Sequence, residues 1–118
     1  MSETTEKRKL PEGVTEQQLA EWQRKYGADK VFPIRVRKGD KEYVGTFRKP
    51  TLSDMSAAAS VGQSNPMASA ELLFNSCKLA VDPMMESDDE VKFGAMQGVG
   101  KLFRILDAEV GGPFGVEQ

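Results

Sequence analysis

Histidine is absent from this 118-residue chain, and cysteine and tryptophan occur once each. Without histidine there is no imidazole base near neutral pH, no imidazole metal ligand and no Ser/His or Cys/His nucleophile pair. The single cysteine, Cys77, excludes an intrachain disulfide and a thiolate cluster for zinc, and it fits a reducing compartment. No stretch approaches the roughly 20 apolar residues of a membrane span, and the charged first residues lack a signal-peptide core. A soluble cytoplasmic protein is expected. A formal net charge of -2 and a pI near 5.2 give no overall pull toward nucleic acid or an anionic membrane. Binding of that kind would need a local basic patch. No catalytic constellation, metal-ligand spacing or cofactor motif stands out, so the residues point to a non-enzymatic interaction domain.

What is present divides the chain in three. Residues 1–12 carry mixed charge without apolar periodicity and are expected to form a disordered arm. Residues 13–110 make a single small α+β domain, and residues 111–118, opened by Gly111-Gly112-Pro113, a flexible tail. Within the domain, Thr15 with Gln18 is a capping box, and Leu19, Trp22 and Tyr26 follow on one helical face. That spacing predicts a helix over Glu16 to Tyr26, stopped by Gly27. From Val31 to Arg37 the alternation of Phe32, Ile34 and Val36 with Pro33, Arg35 and Arg37 predicts a half-buried edge strand. Lys38-Gly39-Asp40-Lys41 supplies the turn, and Glu42 to Lys49 returns as its partner, with Tyr43, Gly45 and Phe47 on one face. The outer face of this hairpin would carry Arg35, Arg37, Lys38 and Arg48, a basic ladder that either meets nucleic acid or an acidic helix or simply solubilises an edge.

At Pro50 the chain changes character. Proline keeps Lys49 extended, Thr51 caps a new helix, and Asp54 occupies the capping-box position usually held by Glu or Gln. A helix over Leu52 to Val61 follows, broken by Gly62 to Pro66, and another is predicted over Met67 to Ala80 with Ala70, Leu73, Cys77 and Ala80 on one stripe. Cys77 is therefore expected to be a buried, inert thiol. The acidic run Asp82 to Glu90 lacks the alternating ligands and glycine of a calcium loop, and Ser87 with Glu90 reads as a capping box. Met84 and Met85 in that run either fold onto the core or offer an adaptable binding surface. The last helix, predicted over Val91 to Val110, has two apolar stripes. One holds Val91, Ala95, Val99, Leu102 and Leu106. The other holds Phe93, Met96, Gly100 and Phe103, and so small a domain is expected to leave it for a partner helix or a second copy. The architecture predicted is a two-stranded hairpin packed with about four helices.

A strand ending in Phe47-Arg48-Lys49-Pro50-Thr51, followed by a small polar pair and a helix leading to an acidic-rimmed helical tail, resembles the short tail assembly chaperones of tailed bacteriophages. The resemblance runs from Gly13, in the Gly-Val-Thr-Glu-Gln-Gln-Leu opening of the first helix, to Ala108. Gly62-Gln63-Ser64-Asn65-Pro66 and the Met84-Met85 pair depart from that pattern. The resemblance implies a protein of the host cytoplasm that binds the long helical tape-measure protein and keeps it soluble until the tail tube forms. Met84, Met85, Phe93, Met96 and Phe103 are then the candidate partner-binding residues. The alternatives are a small virion adaptor at a tail or head joint and a nucleic-acid-binding module built on the basic hairpin.

Overall fold

The computed structural model describes residues 13–104 and 106–115; the expected arm over residues 1–12 lies outside them. The fold is α+β, with elements α1 (Glu16–Tyr26), β1 (Val31–Lys38), β2 (Lys41–Arg48), α2 (Leu52–Gly62), α3 (Pro66–Cys77), β3 (Lys78–Val81), α4 (Met84–Ser87) and α5 (Asp89–Leu102). The strands form one antiparallel sheet in the order β1-β2-β3. The expected two-stranded hairpin is thus corrected to three strands. The apolar stripe that predicted helix through Ala80 ends at Cys77, where the chain turns extended at Lys78 and pairs Val81 with Gly45 and Ala80 with Thr46. Four residues are too few to show strand alternation, and Ala80 falls as naturally on a helical stripe as on an edge strand. Pairing with β2 satisfies backbone groups that a hairpin would have left open on that side.

Three helix starts are capped by side chains that the sequence supplies. Thr15 and Gln18 form a reciprocal capping box, as do Thr51 and Asp54, and Asn65 Oδ1 accepts the Ala68 amide at 3.1 Å ahead of Pro66. The cap of α5 differs from the expected Ser87–Glu90 box. Asp88 Oδ1 accepts the Glu90 and Val91 amides, both at 3.0 Å, while Ser87 Oγ donates backward to the Pro83 carbonyl within the single turn α4. A carboxylate reaching two free amides at the positive helix end outcompetes a hydroxyl already engaged in the previous turn.

Ile34 and Phe47 face the helices, with Val36, Tyr43 and Val81 beside them, and meet Leu73, Phe74 and Cys77 of α3, Met85 of α4 and Val91, Ala95, Met96 and Val99 of α5. The Phe47 and Phe74 rings lie 5.6 Å apart at 54°, a tilted aromatic pair at the centre of this core. Helix α5 crosses β1 closely because it presents glycine there. A Cβ at Gly94 would lie 2.9 Å from Val36 Cγ1, and one at Gly98 2.8 Å from Ile34 Cγ2. The Gly94-x-x-x-Gly98 spacing therefore serves helix-on-strand contact.

Helix α5 ends at Leu102, short of the expected Val110, with Phe103 extended as its C-cap. Of the expected first stripe, Val91, Ala95 and Val99 are fully buried and Leu102 packs on the core, but Leu106 is 73% exposed. A helix weakened by glycine persists only while its side chains find a core. Further along, Leu106 and Val110 are both exposed. None of the described residues from Arg104 onward lies in a helix or strand.

Candidate functional site

The candidate partner-binding residues do not share one surface. Phe93 is 44% exposed on the outer side of α5, and Met84 and Phe103 are half-buried. Met85 and Met96 are corrected: both are buried members of the core, Met85 fully and Met96 all but 6%. Met85 folds inward because Gly45 leaves room for it; a Cβ there would stand 2.8 Å from Met85 Sδ. Strand β1, α3 and the single turn α4, which the sequence reading did not include, all pack on α5, and Met96 falls on the enclosed side. The second stripe is thereby divided between core and surface.

Leu52, Val61 and Met67 are also exposed, Leu52 the most and Met67 by about half. The spacing did not single them out. A helical wheel centred on Met55, Ala58 and Gly62 puts Leu52 about 100° away from the packed stripe, which is the signal the sequence did contain. Val61 and Met67 flank the turn between α2 and α3, two helices that pack against each other.

The basic ladder dissolves into separate ion pairs. Lys38 Nζ lies 2.8 Å from Asp88 Oδ2 and 3.0 Å from Glu90 Oε1, which ties the hairpin turn to the start of α5. The hydrogen bond to Asp88 raises the pKa of Lys38, and the same bond lowers that of Asp88. Arg37 stands 3.5 Å from Glu42 in an exposed pair, and Arg35 is exposed on the same face. Arg48 is corrected from a ladder member to an internal tie. Its guanidinium donates to Asp54 Oδ2 at 2.7 Å and to the Ser76 carbonyl at 2.8 Å, and it stacks 5.7 Å from the Tyr26 ring centroid. A cation committed to a carboxylate, a helix-end carbonyl and an aromatic face, with its side chain only 17% exposed, is poorly placed to meet a phosphate.

Cys77 is fully buried, and burial pushes its thiol up to about 11, with the nearby Arg48 charge only partly offsetting that rise. No group of three His, Cys, Asp or Glu side chains that could hold a metal ion occurs among the described residues. A cavity of about 350 Å³ is lined by Glu42, Val44, Val81, Asp82 and Pro83. Asp82 is already engaged there, its Oδ1 accepting the Met84 amide at 2.9 Å at the start of α4. Among the described residues no helix is long and apolar enough to cross a membrane. No protein-family model matches the chain, and comparison with curated proteins and with solved structures finds no significant match.

Proposed function

We propose that the chain is a non-enzymatic binding protein of the tail assembly chaperone kind, acting in the host cytoplasm to hold the tape-measure protein soluble. The resemblance around Phe47-Arg48-Lys49-Pro50-Thr51 supports this reading. The observation that carries its physical part is the exposure of Phe93, together with Leu52, Val61 and Met67, on helices whose opposite faces are committed to the core. Large apolar side chains presented from rigid helices suit capture of the apolar stripe of an amphipathic partner helix, the contact a long helical protein offers before assembly. Burying the exposed part of one such side chain is worth on the order of 1 kcal/mol, so several must act together for stable capture. The experiment is co-expression with the tape-measure protein. Its soluble fraction should rise with this chain and fall back with Phe93→Ser or Met67→Ser. A tape-measure protein equally soluble with and without the chain would exclude the reading.

A further inference from the structure

We propose that residues 106–110 of one copy pair as an added strand with the free edge of β1 in a second copy, so that the chain self-associates by exchanging this segment. Among the described residues strand β1 is an edge of the sheet, since the order β1-β2-β3 leaves its outer side without a partner strand. Its side chains alternate, with Ile34 and Val36 toward α5 and Arg35 and Arg37 on the opposite face, both exposed. Leu106-Asp107-Ala108-Glu109-Val110 has the complementary alternation, apolar at 106, 108 and 110 and acidic at 107 and 109. In the structure this segment lies in neither a helix nor a strand, with Leu106 73% and Val110 91% exposed.

An antiparallel register accounts for four of the five positions and sets Leu106 opposite Lys38, where β1 ends. Asp107 would stand opposite Arg37 and Glu109 opposite Arg35, each an opposite-charge cross-strand pair. Val110 would meet Ile34 and Ala108 would meet Val36 on the side covered by α5. The pairing is bounded at both ends. Pro33 has no amide to donate beyond Ile34, and Gly111-Gly112-Pro113 ends the incoming strand at the matching place. At the other end Gly39 turns β1 away with positive φ. The existing Arg37–Glu42 pair does not compete strongly, since Arg37 is 74% exposed in it.

The direction of α5 favours a second copy over the segment's own domain. Gly94 sits against Val36 and Gly98 against Ile34, so α5 runs opposite to β1 and releases the chain near the beginning of that strand. A segment returning along its own β1 from there would run parallel to it, pairing less stably and placing Asp107 and Glu109 in a different register. Two copies exchanging segments reciprocally close into a dimer.

The test uses the full chain and its charge reversals. Light scattering of the wild type should give at least twice the monomer mass, and the backbone amides of 106–110 should exchange more slowly as concentration rises. Asp107→Lys with Glu109→Lys, or Arg35→Glu with Arg37→Glu, should each weaken self-association roughly tenfold or more, and all four together should restore it. All four residues are exposed, and circular dichroism verifies that each variant is folded. A wild type that stays monomeric, association indifferent to the reversals, or amide protection independent of concentration, as docking within one chain would give, each overturns the proposal.

Discussion

The Arg48 guanidinium lies 2.7 Å from the Asp54 carboxylate, across the bend where β2 gives way to α2, with the two side chains 17% and 16% exposed. Asp54 does two tasks at once. Its Oδ2 also accepts the Thr51 amide at 2.8 Å and the Thr51 hydroxyl at 3.0 Å, closing the capping box, while its own amide donates to Thr51 Oγ1 at 3.1 Å. Through the Ser76 carbonyl, Arg48 extends the same network to the end of α3, where backbone oxygens lack helical partners. One ion pair thus joins a strand and two helices.

Removing either partner should therefore cost more than removing the cap alone. Arg48→Met and Asp54→Ala are each expected to destabilise by about 2 to 4 kcal/mol, because each strands a half-buried opposite charge. Thr51→Ala should cost about 1 kcal/mol. In the double variant the losses should sum to clearly less than the two singles, since the second change removes a group already unpaired. Urea unfolding of the four proteins measures this, and strictly additive losses would mean that the pair contributes nothing beyond its separate parts.

The same pair gives the protein an acid sensitivity. Hydrogen bonding from Arg48 lowers the pKa of Asp54 to about 2, with the Thr51 contacts adding to it and burial opposing it. Between that value and the ordinary carboxylate value near 4, the unfolded chain binds a proton at Asp54 that the folded chain does not. The stabilisation is present above about pH 4 and is lost as pH falls toward 2. Asp54→Asn should accordingly be less stable than the wild type at pH 6, with the gap closing by pH 2 to 3. Melting temperatures of both proteins from pH 7 to pH 2 provide the comparison; a gap that stays constant would deny Asp54 this role.

Much of this junction was legible from the chain itself. Proline after a strand, Thr51 as cap and Asp54 three residues on are local signals, and local signals survive folding. The same holds for Glu16 to Tyr26 and for the alternation in β1 and β2. What escaped depends on tertiary contact. Lys78 to Val81 becomes a strand because β2 offers it an edge, Arg48 turns inward because Asp54 and Ser76 converge on it, Met85 is buried because Gly45 leaves room for it, and Met96 because it lies on the packed side of α5. The early end of α5 has the same origin, since Leu106 keeps helical spacing but has no core to pack on.

The glycines of α5 should separate by what they face. A methyl group at Gly94 or Gly98 would press into Val36 or Ile34 at under 3 Å, whereas nothing lies within 4 Å of one at Gly100. Ala at Gly100 is expected to stabilise by up to about 1 kcal/mol through helix propensity. Ala at Gly94 or Gly98 should instead destabilise by about 1 to 2 kcal/mol, the overpacking exceeding that gain. Thermal melts of the three variants give the signs directly, and stabilisation at Gly98 would show that α5 can shift away from β1 without loss.

Cys77 should be protected from thiol reagents. It is fully buried with its thiol pushed up to about 11, so at pH 8 almost none is thiolate and none of that is accessible. Modification by an aromatic disulfide reagent is expected to follow the opening of the core, speeding up with added urea below the unfolding midpoint. Immediate stoichiometric reaction in native buffer would contradict the packing of α3 against β2.

The division of the second α5 stripe separates binding from stability. Met96 is 6% exposed and packs within the core, so Met96→Gln should cost about 2 to 4 kcal/mol by leaving an amide unsatisfied among apolar neighbours. Phe93 is 44% exposed, and Phe93→Ser should cost about 1 kcal/mol or less. The order reverses for capture of the tape-measure protein. Phe93→Ser should lower pull-down yield at a temperature where the variant is fully folded. Met96→Leu, which keeps the apolar volume, should be nearly neutral in both respects. Melting temperature and pull-down yield measured on the same preparations decide the matter. If Phe93→Ser binds as well as the wild type, exposure at this position serves no partner, and the capture surface has to be sought around Leu52, Val61 and Met67.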